Sequence, residues 1–343
     1  MKNKAAFLVE PGRVELMNCK FPEMREGDLL IEMDYVGICG SDLHFYQHGR
    51  IGRRVLTEPF ILGHECSGVV REVGAAVTGF SAGERVTIEP GIGCGHCKFC
   101  RSGRYNICPN VKFLSSPPDH GVMRQWVAYP AEACFKLPQK VSQIEGAMIE
   151  PLSVGVHAAA RAQMNVGDTV MIQGAGCIGI MILLVCKSMG MKTIINDVST
   201  ARLKKAKALG ADHCVNGAEE NVPEQVLEIT DGAGADVVFE AAGNPKTALQ
   251  AIELIRRGGR IIQVGNITRE TPYIFNELSR LEVDIRTTFR YCNDFQTAID
   301  LVERGGVDLK EVMPKIYPFG EASQAFRNAS CDADNATKYM IKF

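Results

Sequence analysis

Four cysteines lie close together between residues 94 and 108. Cys94, Cys97, Cys100 and Cys108 follow the spacing C-x2-C-x2-C-x7-C within the stretch GCGHCKFCRSGRYNICP. Four thiolates at such a spacing on a loop are typical of a closed, tetrahedral zinc site with no open position for chemistry. Disulfides or free thiols are the alternatives. The chain has 13 cysteines in 343 residues, an odd number, which favours a reduced, intracellular metal protein.

A second set of candidate metal ligands is spread along the chain. It comprises Cys39 in GICGSD, His64 and Glu65 in LGHECSG, and Glu150 in IEPLSVG. One cysteine, one histidine and one or two glutamates can hold zinc and leave a position for water or substrate, as in a catalytic zinc site. By spacing alone, a buried cysteine and a hydrogen-bonded histidine are the better interpretation, because Cys39 and His64 lie 25 residues apart.

A glycine-rich turn indicates a nucleotide site. Gly174, Gly176 and Gly179 fit the pattern G-x-G-x-x-G between an expected strand and an expected helix, where such a turn binds a dinucleotide pyrophosphate. Asp197 follows at the end of the next strand, and a carboxylate there binds the ribose diol and repels a 2′-phosphate. The sequence therefore predicts NAD, although Arg202 would either attract a phosphate or flank the adenine. A structural turn that binds nothing is the alternative.

The pattern of apolar residues changes near residue 150. Residues 1–150 contain short apolar runs bounded by Gly and Pro, which predict an irregular β-rich domain. After Val166, expected strands alternate with expected helices, including strands at 168–176, 192–197, 236–243, 259–265 and 283–289 and helices at 177–189 and 246–257. This alternation predicts an α/β fold with a doubly wound parallel sheet. We expect a nucleotide-binding domain at 151–289 inserted into a domain made of 1–150 and 290–343.

Composition excludes several classes of protein. The chain carries 40 acidic and 38 basic residues, a net charge of −2, which does not fit attachment to nucleic acid by bulk charge. The N-terminal apolar segment is too short for a secretory signal, and the longest apolar stretch, 177–186, is about half of a membrane span. We therefore expect a cytoplasmic protein without nucleic-acid or membrane partners.

Together these features resemble the zinc-dependent medium-chain dehydrogenase/reductase family over essentially the whole chain. The stretch GHECSGVVREVGAAV matches the family's zinc signature G-H-E-x2-G-x5-G-x2-V at every fixed position. Within that family the chain looks most like the sorbitol and xylitol (polyol) dehydrogenases. The stretches that carry this likeness are HGRIG (48–52), SSPPDHG (115–121), IEPLSVGVHA (149–158) and FRYCN (289–293).

The resemblance implies a Rossmann-type domain inserted into a GroES-like catalytic domain, one catalytic and one structural zinc ion per chain, NAD, and a homotetramer. It implies catalytic zinc at Cys39, His64 and Glu65, with Glu150 either as a ligand or acting through a bound water. The other implied contacts are, for the cofactor, Gly174, Gly176, Ile178, Gly179, Asp197, Arg202, Val264, Gly265 and Phe289, and, for the polyol, Ser41, Phe113, Glu150, Arg290 and Tyr291.

The expected reaction is oxidation of a secondary alcohol to a ketose. Zinc makes the alkoxide accessible near neutral pH, Ser41 relays the proton with His44 extending the relay, and hydride passes to the nicotinamide. Phe45 stands where the resembling polyol dehydrogenases have a tyrosine hydroxyl that touches substrate, which points away from sorbitol itself. His157 is interpreted as a helix residue packed at the domain junction.

Two alternatives remain open from the sequence. The first is a zinc and NAD dehydrogenase for another secondary alcohol, similar to L-threonine 3-dehydrogenase or a 2,3-diol dehydrogenase. The second is a non-enzymatic binding protein of the same fold, which the presence of Cys39, His64, Glu65, Glu150 and the glycine turn argues against.

Overall fold

The computed structural model describes residues 2–312, 314–331 and 336–343. The chain divides into two compact units. Unit 1 comprises Met1–Glu150, Phe295–Gly305 and Val312–Phe343, and unit 2 comprises Pro151–Asp294 and Gly306–Glu311. Residues 290–294 and 306–311 therefore group with unit 2, whereas the sequence expectation assigned them to the outer domain.

The strands and α-helices of the described chain have the following bounds. The strands are β1 (Asn3–Glu10), β2 (Arg13–Cys19), β3 (Asp28–Ile38), β4 (Arg50–Ile51), β5 (Arg54–Val55), β6 (Phe60–Ile61), β7 (Glu65–Val73), β8 (Arg85–Ile88), β9 (Gly91–Ile92), β10 (Lys112–Phe113), β11 (Trp126–Pro130), β12 (Cys134–Lys136), β13 (Thr169–Gln173), β14 (Lys192–Asp197), β15 (His213–Asn216), β16 (Ala235–Glu240), β17 (Ile255–Gln263), β18 (Asp284–Thr287), β19 (Lys315–Pro318) and β20 (Tyr339–Lys342). The α-helices are α1 (Gly40–His48), α2 (Lys98–Arg101), α3 (Gln143–Gly146), α4 (Ile149–Ala162), α5 (Cys177–Ser188), α6 (Thr200–Ala208), α7 (Val222–Ile229), α8 (Pro245–Leu254), α9 (Phe275–Leu281), α10 (Phe295–Glu303) and α11 (Ala322–Cys331).

The main sheet of unit 1 places three segments that are distant in the chain side by side. Its described strands run in the order β12-β8-β7-β3-β20-β19, and β11 also pairs with β3. In this register Gly37, near the end of β3, lies opposite both Glu65 at the start of β7 and Met340 in β20. Cys39 follows β3 directly, so the sheet pairing places it near His64 and Glu65.

The described parallel sheet of unit 2 has the order β15-β14-β13-β16-β17-β18. Relative to the first strand of the unit, this is the 3-2-1-4-5-6 order of a dinucleotide-binding fold, whose ligand crevice lies where the order reverses. That point is between β13 and β16, at their carboxyl ends. The interior of β13 is buried, and so is most of α5, because helices cover both faces of such a sheet.

The sequence placed some boundaries wrongly. The helix expected at 246–257 ends at Leu254, and Ile255 is already extended and begins β17. The apolar periodicity of this stretch continues through the boundary, and Ile255 takes the cap position without a glycine stop, so the ordinary signal for a helix end is absent. Among the described residues, no helix is both long enough and apolar enough to cross a bilayer.

Candidate metal centres and dinucleotide site

The cysteine-rich loop of unit 1 brings its four thiols together. The Sγ atoms of Cys94, Cys97, Cys100 and Cys108 all lie within 4.8 Å of one another. The Sγ atom of Cys97 is 3.5 Å from that of Cys100 and 3.8 Å from that of Cys108. Four sulfurs around one zinc at about 2.3 Å are about 3.8 Å apart, whereas a disulfide needs about 2.05 Å. All the cysteines are free thiols, and the loop geometry fits zinc.

The same loop affects the ionisation of two of its thiols in opposite directions. Hydrogen bonds from the backbone N–H groups of His96 and Cys97 lower the pKa of Cys94 to about 6. Desolvation raises the pKa of Cys100 to about 11. A cation bound here would displace the protons that remain, as zinc does when it binds thiols.

The second metal candidate forms in the main sheet of unit 1, where β3 ends and β7 begins. One donor atom each from Cys39, His64 and Glu65 lies within 4.8 Å of the others, and His64 and Glu65 are buried. Cys39 is the residue that precedes α1, and Glu65 opens β7. One sulfur, one nitrogen and one carboxylate oxygen match the donor types of a catalytic zinc site that keeps an open position.

Asp42, which the sequence analysis did not single out, accepts hydrogen bonds from the segments that carry Cys39 and His64. It is fully buried, and its Oδ2 accepts a hydrogen bond from the Cys39 backbone N–H at 3.0 Å. Its Oδ1 accepts from the Gly63 N–H at 3.2 Å and from the Ser115 hydroxyl at 2.7 Å. Both segments that carry donor atoms are thereby tied to one carboxylate. The available sequence signal was its place three residues after Cys39, the N3 position of a capping box.

Replacing Asp42 with asparagine is expected to weaken zinc binding about 10–100-fold, the usual effect of losing a group that orients metal ligands. Both carboxylate oxygens accept hydrogen bonds, so the asparagine NH2 must face another donor. Zinc content after dialysis against graded chelator measures the effect. Zinc retention equal to that of the wild type would contradict the role given to Asp42.

Negative charge concentrates around His64. Burial by itself lowers the pKa of His64, but the charges of Asp42 and Cys39, with a hydrogen bond to Cys39 and a contribution from Glu150, raise it to about 10. The ring Nδ1 lies 3.7 Å from Asp42 Oδ1, too far for a hydrogen bond. An imidazole in such surroundings attracts a cation, either a proton or a metal ion, so the residues present fit zinc.

Two further charged side chains complete the site. Lys338, just before β20, forms an ion pair with Glu65 in which both side chains are buried. Glu150, on α4, is also buried and acts electrostatically on His64, whereas the close three-donor group consists of Cys39, His64 and Glu65. Nothing in the sequence around Lys338 predicts this pairing, because it depends on the register of β20 against β3.

Three other expected residues of unit 1 lie on α1. Ser41 is half-buried, His44 is exposed, and Phe45 is buried in the hydrophobic core of unit 1. Phe113 is also buried, with its ring centroid 5.5 Å from that of His64. The structure therefore brings Phe113 to the metal candidate.

The three glycines of the turn in unit 2 differ in their surroundings. Gly174 has φ +97°, which favours glycine, and Gly176 has no described atom within 4 Å of an added Cβ. A Cβ on Gly179 would lie 1.8 Å from the Gly174 carbonyl oxygen. These are the features expected of the tight turn, the open approach for a pyrophosphate and the close helix packing of a dinucleotide site. Ile178, half-buried, lies in the first turn of α5.

Asp197 lies at the carboxyl end of β14, next to this turn. Its Oδ2 accepts a hydrogen bond from the Ala175 N–H at 2.8 Å, and its Oδ1 accepts from the Ser199 N–H at 2.9 Å. The Arg202 guanidinium is 3.5 Å from the same carboxylate. The structure thus brings both expected ribose-side residues to the turn, with Asp197 partly compensating the charge of Arg202.

The loops after β16 and β17 are joined by the fully buried Glu240. The backbone N–H groups of Val264 and Gly265 both donate to its carbonyl oxygen, at 2.9 and 2.8 Å. Its Oε1 accepts from the Thr247 hydroxyl at 2.7 Å, and its Oε2 from the Gln263 amide at 2.5 Å. Sequence reasoning missed Glu240, although a lone carboxylate ending an apolar strand is a signal for such a role.

The last expected residues form one segment after β18. Phe289 is half exposed, with the Arg290 guanidinium 4.7 Å from its ring centroid, and Tyr291 is buried. All three belong to unit 2.

Comparison with known proteins identifies the family. The family model of the alcohol dehydrogenase GroES-like domain matches residues 25–139, and that of the zinc-binding dehydrogenases matches residues 177–304. An uncharacterised zinc-type alcohol dehydrogenase-like protein of Escherichia coli is 40% identical over 345 residues, covering 100% of this chain and 99% of the relative. The sorbitol dehydrogenase of Bacillus subtilis is 39% identical over 344 residues, covering 98% and 96%.

The chain belongs to the zinc-dependent medium-chain dehydrogenase/reductase family. It is a zinc-type alcohol dehydrogenase close to the polyol dehydrogenases. The GroES-like and Rossmann-type fold expected from the sequence is confirmed.

Solved structures support the same assignment. An Escherichia coli oxidoreductase of unknown specificity aligns with a TM-score of 0.96 at 39% identity, covering 100% of this chain and 99% of that one. Two more distant structures, at 27% identity and TM-scores of 0.93 and 0.92, contain NADH (Escherichia coli) and NADP (Sinorhizobium meliloti). Two structural relatives of the dehydrogenase therefore bind a nicotinamide cofactor, one NADH and the other NADP.

Proposed function

We propose that this dehydrogenase oxidises a secondary alcohol of an open-chain polyol to a ketose and passes the hydride to NAD+. The observation that carries the proposal is the group of half-buried Cys39 and buried His64 and Glu65, whose donor atoms lie within 4.8 Å of one another. The full-length similarity to the Bacillus subtilis sorbitol dehydrogenase supports a polyol as the substrate class.

Catalytic zinc would be held by Cys39, His64 and Glu65, and structural zinc by the four cysteines of the loop. When bound at the open site, zinc makes an alcohol O–H acidic enough to ionise near neutral pH. Glu65 is favoured over Glu150 as the carboxylate ligand because it belongs to the close donor group. Glu150 then acts on the site through its charge.

A proton path leads outward along α1. Ser41 follows Cys39 by two residues and is half-buried, and the exposed His44 is three residues further along the helix. Residues at i and i+3 share a helix face. Ser41 would take the alcohol proton, and His44 would pass it to water.

The choice of cofactor rests on Asp197. Replacing it with serine should remove the repulsion of a 2′-phosphate and leave Arg202 without its carboxylate neighbour. We expect the ratio of kcat/KM for NADP+ to that for NAD+ to rise about tenfold or more. Initial rates with both cofactors measure this ratio. An unchanged ratio would remove Asp197 from cofactor selection.

Phe113, Arg290 and Tyr291 are the residues that would contact the polyol chain, as the family resemblance implies. A guanidinium and a phenol suit a chain of hydroxyls. Phe45 offers no hydroxyl, which favours a polyol other than sorbitol, or another secondary alcohol such as a 2,3-diol or L-threonine. This second candidate shares the metal and cofactor chemistry.

Initial rates of NAD+ reduction over a panel of alcohols test the proposal. The panel contains sorbitol, xylitol, ribitol, galactitol, 2,3-butanediol and L-threonine. We expect one polyol to give the highest kcat/KM. If only the diol or threonine reacts, the substrate class is wrong and the second candidate replaces it.

We further propose a cytoplasmic homotetramer. The described end strand β18 and its neighbourhood expose Ile274, Phe275 and Ile285, apolar residues that assembly would cover. Light scattering on the purified protein measures the mass, and a monomer would contradict this proposal.

A further inference from the structure

The segment 289–293, which follows β18, has an uncommon backbone. Arg290 has φ +56° and Asn293 has φ +61°. Residues other than glycine rarely adopt this left-handed conformation, and they persist in it where the surrounding structure enforces it. Two such residues within four positions require a specific restraint.

That restraint is visible at Asp294. Its Oδ2 accepts a hydrogen bond from the Cys292 backbone N–H at 2.9 Å and another from His157 Nδ1 at 2.9 Å. A carboxylate only accepts, so the His157 proton lies on Nδ1. His157 belongs to α4, 137 residues earlier in the chain. One carboxylate therefore fixes the amide that lies between the two left-handed residues and anchors it to a helix of the same unit.

Both partners of this contact are shielded from water. His157 and Asp294 are each 9% exposed, so solvent competes little for their hydrogen bond. Tyr291, next to the fixed amide, is 2% exposed, and the neighbouring Arg290 lies over the Phe289 ring. The contact thus sets the backbone from which the Arg290 and Tyr291 side chains project.

We propose that His157 and Asp294 are positioning residues that hold segment 289–293 in the conformation that presents Arg290 and Tyr291 to the polyol. The proposal rests on the proposed function for the part played by Arg290 and Tyr291. The restraint on the backbone does not depend on it.

A metal ion is the other occupant to consider, because donor atoms of His157, Cys292 and Asp294 lie within 4.8 Å of one another. The two 2.9 Å hydrogen bonds already engage Asp294 Oδ2 and His157 Nδ1. This arrangement favours a hydrogen-bonded restraint over a cation.

The test compares His157→Ala with His157→Asn in the zinc-loaded protein. Alanine removes the donor to Asp294, whereas asparagine carries an N–H donor at about the distance of Nδ1 from the backbone. We expect His157→Ala to raise the KM for the best alcohol of the panel about tenfold or more, with kcat changed less. His157→Asn should recover most of the loss.

Asp168→Asn provides the matched control. Asp168 is 7% exposed and likewise bridges a backbone N–H, that of Asn165, and a basic side chain, that of Arg260. It precedes β13, at the amino edge of the parallel sheet, whereas segment 289–293 follows the carboxyl end of β18. We expect it to lower Tm and leave KM unchanged. An equal rise in KM in this control would overturn the proposal, because general loosening of unit 2 would then explain the effect.

Amide hydrogen exchange of the peptide containing Cys292 tests the backbone restraint independently of the proposed polyol oxidation. If the wild type oxidises no alcohol of the panel, the proposed function fails, and exchange alone decides the restraint. Faster exchange in His157→Ala than in the wild type and Asp168→Asn supports it, and equal exchange overturns it. A third zinc ion per wild-type chain that is lost in His157→Ala would also overturn it in favour of a metal site.

Discussion

Replacing Cys39 with serine is expected to lower kcat/KM about 10³-fold or more while the protein keeps its fold and its NADH affinity. Cys39 supplies the only sulfur of the close donor group, and a serine hydroxyl is a poor ligand for zinc near neutral pH. Loss of the metal removes several kcal/mol of transition-state stabilisation, which corresponds to about this factor in rate. Steady-state kinetics and zinc analysis of the purified protein measure the two effects together.

The number of zinc ions bound per chain shows which of the two metal sites the Cys39→Ser substitution empties. We expect two zinc ions per wild-type chain and one in Cys39→Ser, because the four thiols of the loop are unchanged. Cys134→Ser is the matched control, since Cys134 is a buried thiol of unit 1 that donates to the Pro130 carbonyl, as a serine hydroxyl can. Near-normal turnover in Cys39→Ser, or two zinc ions retained, would show that the catalytic metal is held elsewhere.

Gly176→Ala is expected to lose NADH affinity and keep its stability, whereas Gly179→Ala is expected to lose stability. A methyl group on Gly176 meets no described atom within 4 Å, and φ of −72° is acceptable for alanine, so the fold should remain. The same methyl occupies the approach of a pyrophosphate, so we expect the Kd for NADH to rise about tenfold or more. Fluorescence titration with NADH measures this affinity.

At Gly179 the added methyl would lie 1.8 Å from the Gly174 carbonyl oxygen, and backbone on both sides must move. Overpacking of this kind costs about 1–3 kcal/mol or more, which lowers Tm by about 4–10 °C in a unit of this size. Thermal unfolding distinguishes the two variants. Tight NADH binding by Gly176→Ala, or an unchanged Tm for Gly179→Ala, would contradict the roles given to this turn.

The sites differed in how far the sequence could predict them. The four loop cysteines and the glycine turn are local in the chain, so spacing and neighbouring elements indicated each of them. Cys39 and Glu65 meet because β3 pairs with β7 in one register, and no spacing rule contains that register. The ligands of the catalytic metal were therefore predicted from the family signature around His64, because the periodicity of apolar residues does not show which residues meet.

The side chains missed by sequence reasoning share a physical cause. Asp42, Lys338 and Glu240 are buried polar residues, whose partners come from other strands or loops. Composition predicts such residues at the surface, and only the tertiary structure shows that each has a partner. His157 was expected merely to pack, since its contact with Asp294 joins segments more than a hundred residues apart.

The most direct test of the account follows the hydride itself. The zinc-loaded protein is incubated with NAD+ and the polyol that reacts fastest, deuterated at every carbinol carbon, and the products are examined by mass spectrometry. We predict one deuterium in the reduced nicotinamide for each ketose formed, and no labelled cofactor from Cys39→Ser. Ketose formed without deuterium in the cofactor, or no oxidation of any polyol by protein with both zinc sites filled, would contradict the account.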